Sequence, residues 1–222
     1  MFMGDESDTG GYPGTRILPS SIDCLPVTRG ITKVGASPNS CILSGPNGNL
    51  RLWWFEKTRR TFNAKNFTSF SPISVLQIRE LWVKWGRRPY PGVRSFLREQ
   101  TPTAIYGAFW VLTKVEDLTL VSCQTEPFLA ALGMPVDGCD VLLPRLRRLT
   151  VFVGYGDLDV PALRQCAKAR KERSRPLGGV TVVFEKGQGT GLAEGLESLR
   201  EFVEELVYCA GETPKFFWLD EE

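Results

Sequence analysis

"VEDLTLVSC" (residues 115–123) decides how this chain is read. Val115, Leu118 and Leu120 are apolar at spacings of three and then two, and Cys123 follows three residues later. The alternation at its centre is that of a half-buried strand. A lone strand would say little about a fold, so the weight falls on recurrence. Working outward, "IRELWV" (78–83) repeats the spacing with Ile78, Leu81 and Val83. "LRRLTV" (146–151) repeats it with Leu146, Leu149 and Val151, and "LGGVTV" (177–182) with Leu177, Val180 and Val182. The central residues Leu81, Leu118, Leu149 and Val180 are separated by 37, 31 and 31 residues.

The spacing is the L-x-x-L-x-L-x-x-[N/C] signature of a leucine-rich repeat, in which each unit is one strand plus a return segment. Cys123 fills the position that supports the turn after the strand. Its equivalents in the other units are Gly86, Gly154 and Glu185, so the turn is not uniformly built. The expected fold is therefore α/β, a leucine-rich-repeat-like solenoid with long, irregular repeats, its parallel strands on one face and its helices on the other. The competing architecture is an ordinary α/β sandwich.

The segments between the units support helices. In "EPFLAALG" (126–133) Pro127 opens a helix and Gly133 ends it. In "DVPALRQCAKARKERS" (159–174) Asp159 caps the start, and Leu163, Cys166 and Ala167 share a face. A last helix is expected over about 192–208, with Leu192, Leu196, Leu199, Phe202 and Leu206 on one stripe. "VRSFLREQ" (93–100) is a short helical candidate, and "KFFWLDEE" (215–222) a terminal strand or cap. Near the start, Asn47-Gly48 sits between apolar runs and predicts a hairpin with strands near 40–44 and 50–55. Residues 1–38 are rich in Gly, Ser, Thr, Asp and Pro and read as a loosely ordered lead-in. The domain proper is expected over 39–222.

Composition narrows the function classes. With 42% hydrophobic and 23% charged residues the chain has the make-up of a soluble globular domain. A net charge of +2 exerts no global pull toward nucleic acid or membrane. There is no histidine, which excludes Ser-His-Asp and Cys-His catalysis and weakens the case for zinc. The six cysteines include no C-x-x-C pair. The first residues lack a basic region followed by an apolar run, so cytoplasm or nucleus is the expected location.

Beyond these patterns, "FTSFSPISVLQIRELWV", "VEDLTLVSC", "PFLAALG", "LLPRLRRLTVFVG", "LDVPALRQCAKARKERSRPLGGVTVVFE" and "ESLREFVEEL" resemble the C-terminal region of the large F-box-like proteins of basidiomycete fungi. The resemblance covers about residues 40–222. It implies a leucine-rich region that binds the protein to be ubiquitinated, within a cullin–RING ubiquitin ligase. Two departures stand out. "LPSSIDCLPV" (18–27) has only the Leu-Pro start of an F-box, and Pro26 and Gly30 oppose the helix that should follow, which puts docking on the ligase adaptor in doubt. "TPTAIYGAFWVLTK" (101–114) is an apolar insertion before the strand.

Three features invite chemical readings. "FEKGQGTG" places Gly187, Gly189 and Gly191 between a strand and a helix, as a phosphate-cradling loop would. Its G-x-G-x-G spacing is not the dinucleotide fingerprint. Lys168 to Arg175 is a basic run, read as the solvated end of a helix rather than a nuclear signal or nucleic-acid patch. Third, strand parity sends Trp82, Lys84, Thr119, Val121, Thr150, Phe152 and Thr181 to the face opposite the leucines. An open sheet face carrying Trp82, Val121 and Phe152 is apolar enough to mark a partner site.

The expected function is thus protein–protein recognition, with no catalytic residues, cofactor or metal. The alternatives are a small α/β enzyme binding a phosphorylated ligand at Gly187–Gly191, or a truncated gene product without function. The expected partner is a protein, with no membrane and no nucleic acid.

Overall fold

The computed structural model describes residues 29–36, 40–53, 77–85, 105, 109–122, 125–135, 141–153, 158–185 and 193–211. Eight strands form one mostly parallel sheet: β1 (Lys33–Ala36), β2 (Ser40–Gly45), β3 (Gly48–Trp53), β4 (Glu80–Trp85), β5 (Asp117–Ser122), β6 (Arg148–Val153), β7 (Leu177–Glu185) and β8 (Val203–Gly211). Their spatial order is β3-β2-β1-β4-β5-β6-β7-β8. From β1 through β4 to β8 every pairing is parallel, while β1–β2 and β2–β3 are antiparallel. Three helices are described: α1 (Glu126–Gly133), α2 (Val160–Glu172) and α3 (Ala193–Glu197), the last running into a 3-10 turn at Ser198–Glu201.

The repeated spacing is realised as three rows of apolar residues, buried throughout except at Tyr208 on the edge strand. The middle apolar residues stack in register as Val34, Leu81, Leu118, Leu149, Val180 and Leu206. A second row runs Ala36, Val83, Leu120, Val151, Val182 and Tyr208. Three residues before the first row, Ile31, Ile78, Val115, Leu146, Leu177 and Val203 are also buried. A single backbone carbonyl between the two apolar residues accepts from the next strand. Thr32 accepts from Arg79 and Glu80, Arg79 from Glu116 and Asp117, and Glu116 from Arg147 and Arg148, all at 2.8–3.1 Å. Arg147 likewise accepts from Gly179 at 3.0 Å. The spacing of three thus has a backbone counterpart: β4, β5 and β6 each enter through two residues whose amides share one acceptor.

Six parallel strands carry this pattern where the sequence showed four units. The two additional ones correct earlier expectations. The lead-in expected to be loosely ordered through residue 38 contains β1, with Ile31, Val34 and Ala36 in the core. The helix expected over about 192–208 stops at the 3-10 turn, and Val203–Gly211 is a strand. A spacing of three serves either structure: Leu196, Leu199, Val203 and Leu206 suit a helical stripe, while Val203 and Leu206 also suit the repeated strand entry. Pairing with β7 along its length decides for the strand, since β structure follows its sheet neighbours more than its own preference.

The hairpin lies where expected, but its two-residue loop is Pro46-Asn47, closed by the Gly45–Gly48 pair. Proline presets the first loop position. Gly48, with φ of 119°, takes the backbone conformation that other residues avoid.

The helices expected at 126–133 and 159–174 form, while the helical candidate at 93–100 and the terminal strand or cap at 215–222 lie outside the described residues. Pro127 and Pro161 lie in the first turns of α1 and α2, and the Asp159 carboxylate accepts from the Ala162 amide at 2.8 Å. Leu129 and Leu132 of α1 and Leu163 and Cys166 of α2 join the leucine rows in one core. The helices approach closely at Gly133, where a side-chain carbon would come within 3.2 Å of the Cys166 backbone. The 101–114 insertion feeds the same core: Ile105, Phe109 and Leu112 are at most 2% exposed, and the Phe109 ring lies 6.4 Å from that of Phe128. Trp110, 57% exposed, points away from it.

The basic run corrects another expectation. Lys168, Lys171 and Arg175 are exposed, but Arg170 is completely buried. Its guanidinium donates to the carbonyls of Leu142 (2.8 Å), Leu143 (3.0 Å) and Leu146 (3.5 Å). These lie in the turn where Leu143 has φ of 51°, a strained conformation for leucine. The fork of donors thus ties down the turn leading into β6, while Nε has no partner among the described residues. Lys171 donates to the Glu201 carbonyl at 2.6 Å and, with Arg164, lies over the Phe202 ring. The segment around Glu201 thus meets this run through a carbonyl and a ring.

Candidate partner-binding face

Alternation sends the residues between the buried rows to the other side of the sheet. One row on that side is Gly35, Trp82, Thr119, Thr150, Thr181 and Val207. The next is Lys84, Val121, Phe152, Val183 and Cys209. All seven sequence-predicted residues fall in these two adjacent rows. At about 4.8 Å between strands, Trp82 to Val207 spans roughly 19 Å. Trp82, Lys84, Val121, Thr150, Phe152 and Thr181 are half-buried, and Thr119, flanked in register by Trp82 and Thr150, is buried.

A third row forms the strand-entry rim of the same face: Lys33, Glu80, Asp117, Arg148, Gly179 and Glu205. Its charges pair across strands. Lys33 meets Glu80 at 2.7 Å, and Arg148 grips Asp117 with two hydrogen bonds, the one from Nη2 being 2.6 Å. The bond to Asp117 raises the Arg148 pKa above its usual range. The other Glu80 oxygen accepts from the Trp82 indole at 2.7 Å, which orients the ring. Lys33, Glu80 and Trp82 thus form one chain of contacts.

The rim then changes character. β7 contributes Gly178 and Gly179, and β8 contributes the exposed Glu204 and Glu205, for which no ion pair is formed among the described residues. Without side chains at the glycines, a groove of about 470 Å³ opens between Arg148 and the two glutamates, floored by Thr119, Thr150 and Thr181.

Sequence reasoning missed Val183, Val207, Cys209 and the whole rim. Val183 was available from the parity of Thr181. Val207 and Cys209 were hidden by reading 203–208 as helix. The rim residues are those just before the first apolar row, and only the strand register makes them neighbours.

Cysteine chemistry divides by burial. Cys166 lies in the core, where burial pushes its thiol up to about 12 against a smaller opposing pull from Arg170. Cys209 is exposed on the face. Among the described residues no group of three His, Cys, Asp or Glu side chains could hold a metal ion, and no helix is long and apolar enough to cross a membrane. Cys123, Gly86, Gly154 and the Gly187–Gly191 loop lie outside the described residues. Comparison with protein-family models, curated proteins and solved structures finds no significant match.

Proposed function

We propose that this chain is a protein-recognition module of the leucine-rich-repeat-like solenoid type, non-enzymatic and intracellular, whose strand face receives a partner protein. One observation carries the reading. Parallel sheets ordinarily have both faces covered by helices. Here the helices pack into the core on one side, while Trp82, Val121, Phe152 and Val183 lie half-buried on the other with no described helix over them. Strand-lined surfaces of this kind are what solenoids use for binding.

Trp82 is the anchor of choice. Aromatic residues concentrate binding energy, and its indole is held in place through Glu80 and Lys33 before any partner arrives. Phe152, two strands away and one row further along, supplies the second apolar contact. The resemblance to F-box-like proteins extends the proposal to a substrate-binding arm of a ubiquitin-ligase receptor.

Affinity purification from the native cell with the whole chain, beside the Trp82→Ala/Phe152→Ala double variant, tests this. The expected result is a partner retained by the natural chain and lost by a variant that still melts cooperatively. Equal retention by both would falsify the face as the binding surface.

A further inference from the structure

The groove at Gly178–Gly179 is lined by charged side chains that lie outside the core. Two consecutive glycines inside a strand weaken it, since each gives up side-chain packing and backbone entropy. Such glycines are usually imposed by a positive φ or by a neighbour that leaves no room for Cβ. Neither holds here. Neither residue has positive φ. A side-chain carbon at Gly178 would lie 3.6 Å from the Arg147 carbonyl and from Glu204 Oε2, and one at Gly179 would lie 3.8 Å from Glu205 Oε2, which are ordinary contacts. Glycine within a strand marks a bulge, a bend or the close approach of another group; here the Glu204 and Glu205 carboxylates lie over the two positions, and the groove beside them is open to a second molecule.

Charge identifies what approaches. Glu80 is matched by Lys33 and Asp117 by Arg148, so the rim is neutral from β1 to β6. Beyond the glycines, Glu204 and Glu205 stand exposed and form no ion pair among the described residues, with Arg148 across the groove and Arg145, Arg147 and Arg175 lining the neighbouring one beside Glu204. Acids on an edge strand can serve to deter edge-to-edge pairing. That role would account for the glutamates but not for glycines in the interior strand β7. The threonine row flooring the groove, Thr119, Thr150 and Thr181, leads directly to Phe152 and Val183.

We propose that the Gly178–Gly179 groove is the slot for a lysine or arginine side chain of the partner protein, seated against Glu204 and Glu205 while flanking apolar residues of the same segment lie on Phe152, Val183 and Trp82. This rests on the strand face being the recognition surface and adds the chemistry of what it recognises. The cation completes the charge pairing of the rim, and the missing side chains let it reach the sheet.

The probe is a displayed library of random twelve-residue peptides, panned on the whole chain, with recovered peptides synthesised and titrated by fluorescence anisotropy at low and moderate salt. Recovered sequences are expected to carry Lys or Arg beside apolar residues. Their affinity should fall at least tenfold with Gly179→Val, which fills the slot, and with Glu204→Lys/Glu205→Lys, which reverses its charge, the thermal midpoints of both variants remaining near that of the natural chain. If Gly179→Val does not fold, the charge-reversal variant decides alone. Peptides lost by Trp82→Ala/Phe152→Ala but unaffected by the slot variants overturn the slot and leave the face standing. Acidic or uncharged consensus peptides also overturn the slot. Recovery of no peptide, or of peptides indifferent to every variant, overturns both.

Discussion

Leu149 and Thr150 are chain neighbours in β6, yet they belong to different regimes. Leu149 stands in a row of six aliphatic residues with 1% of its surface exposed, and its neighbours in register repeat its chemistry strand after strand. Thr150 stands in a row that begins with a glycine and a tryptophan, continues through three threonines and ends in an exposed valine. One face is uniform because any polar residue there would lose its water without compensation. The other varies from strand to strand, and that variation leaves room for a recognition code. The contrast separates what holds the sheet together from what the sheet displays.

The largest effect should come from breaking the uniform face. Leu149→Ala is expected to cost about 2–5 kcal/mol, read as a fall in the urea midpoint, because the cavity lies in the middle of the core. Thr150→Val, one residue along, should move the midpoint by less than about 1 kcal/mol, in line with its position on the displayed face. Equal losses would erase the distinction between the faces.

Next is Arg170→Met, which keeps an unbranched apolar side chain but removes the donors to Leu142, Leu143 and Leu146. Buried carbonyls left without a donor cost about 1–3 kcal/mol each, so a loss of about 3 kcal/mol is expected. Faster hydrogen exchange over residues 141–147 would localise it.

A smaller effect should appear with pH. Cys166 keeps its proton up to about 12 in the folded chain against an ordinary value of 9.0. Between those values the unfolded chain has lost a proton that the folded chain retains. Stability is therefore full below about pH 9 and falls as pH rises toward 12, by at most about 1.4 kcal/mol per pH unit. Comparing denaturation of the natural chain and Cys166→Ala across this range isolates the contribution, which the variant should lack. The smallest change is Arg148→Ala. Although it removes a two-point contact with Asp117, the Arg148 side chain is 74% exposed, so less than about 1 kcal/mol is expected, and less still at high salt.

Local pattern was enough for much of this molecule. The three-then-two spacing placed β4 to β7 and assigned their faces, because a strand's period of two is a property of the backbone itself. Asp159, Pro127 and Pro161 announced the helix starts for equally local reasons: a carboxylate that can accept from the first-turn amides, and a ring that needs no amide partner there. The seven residues forecast for the face opposite the leucines came together because parity plus a parallel register leaves no other arrangement.

Three matters were settled only when the chain closed on itself. Val203–Gly211 became a strand because the edge of β7 was there to pair with it, although its apolar spacing also suited a helix. Arg170 was buried because three carbonyls of a turn 24 to 28 residues away converge on its guanidinium, an arrangement that the basic run around it conceals. The groove at Gly178–Gly179 exists because register sets those glycines between Arg148 and Glu205. Spacing within a strand is dictated by bonds along the chain, so the sequence alone determines it. Which strands lie side by side is dictated by hydrogen bonds across the chain, and the charge pattern of the displayed face follows from that tertiary choice.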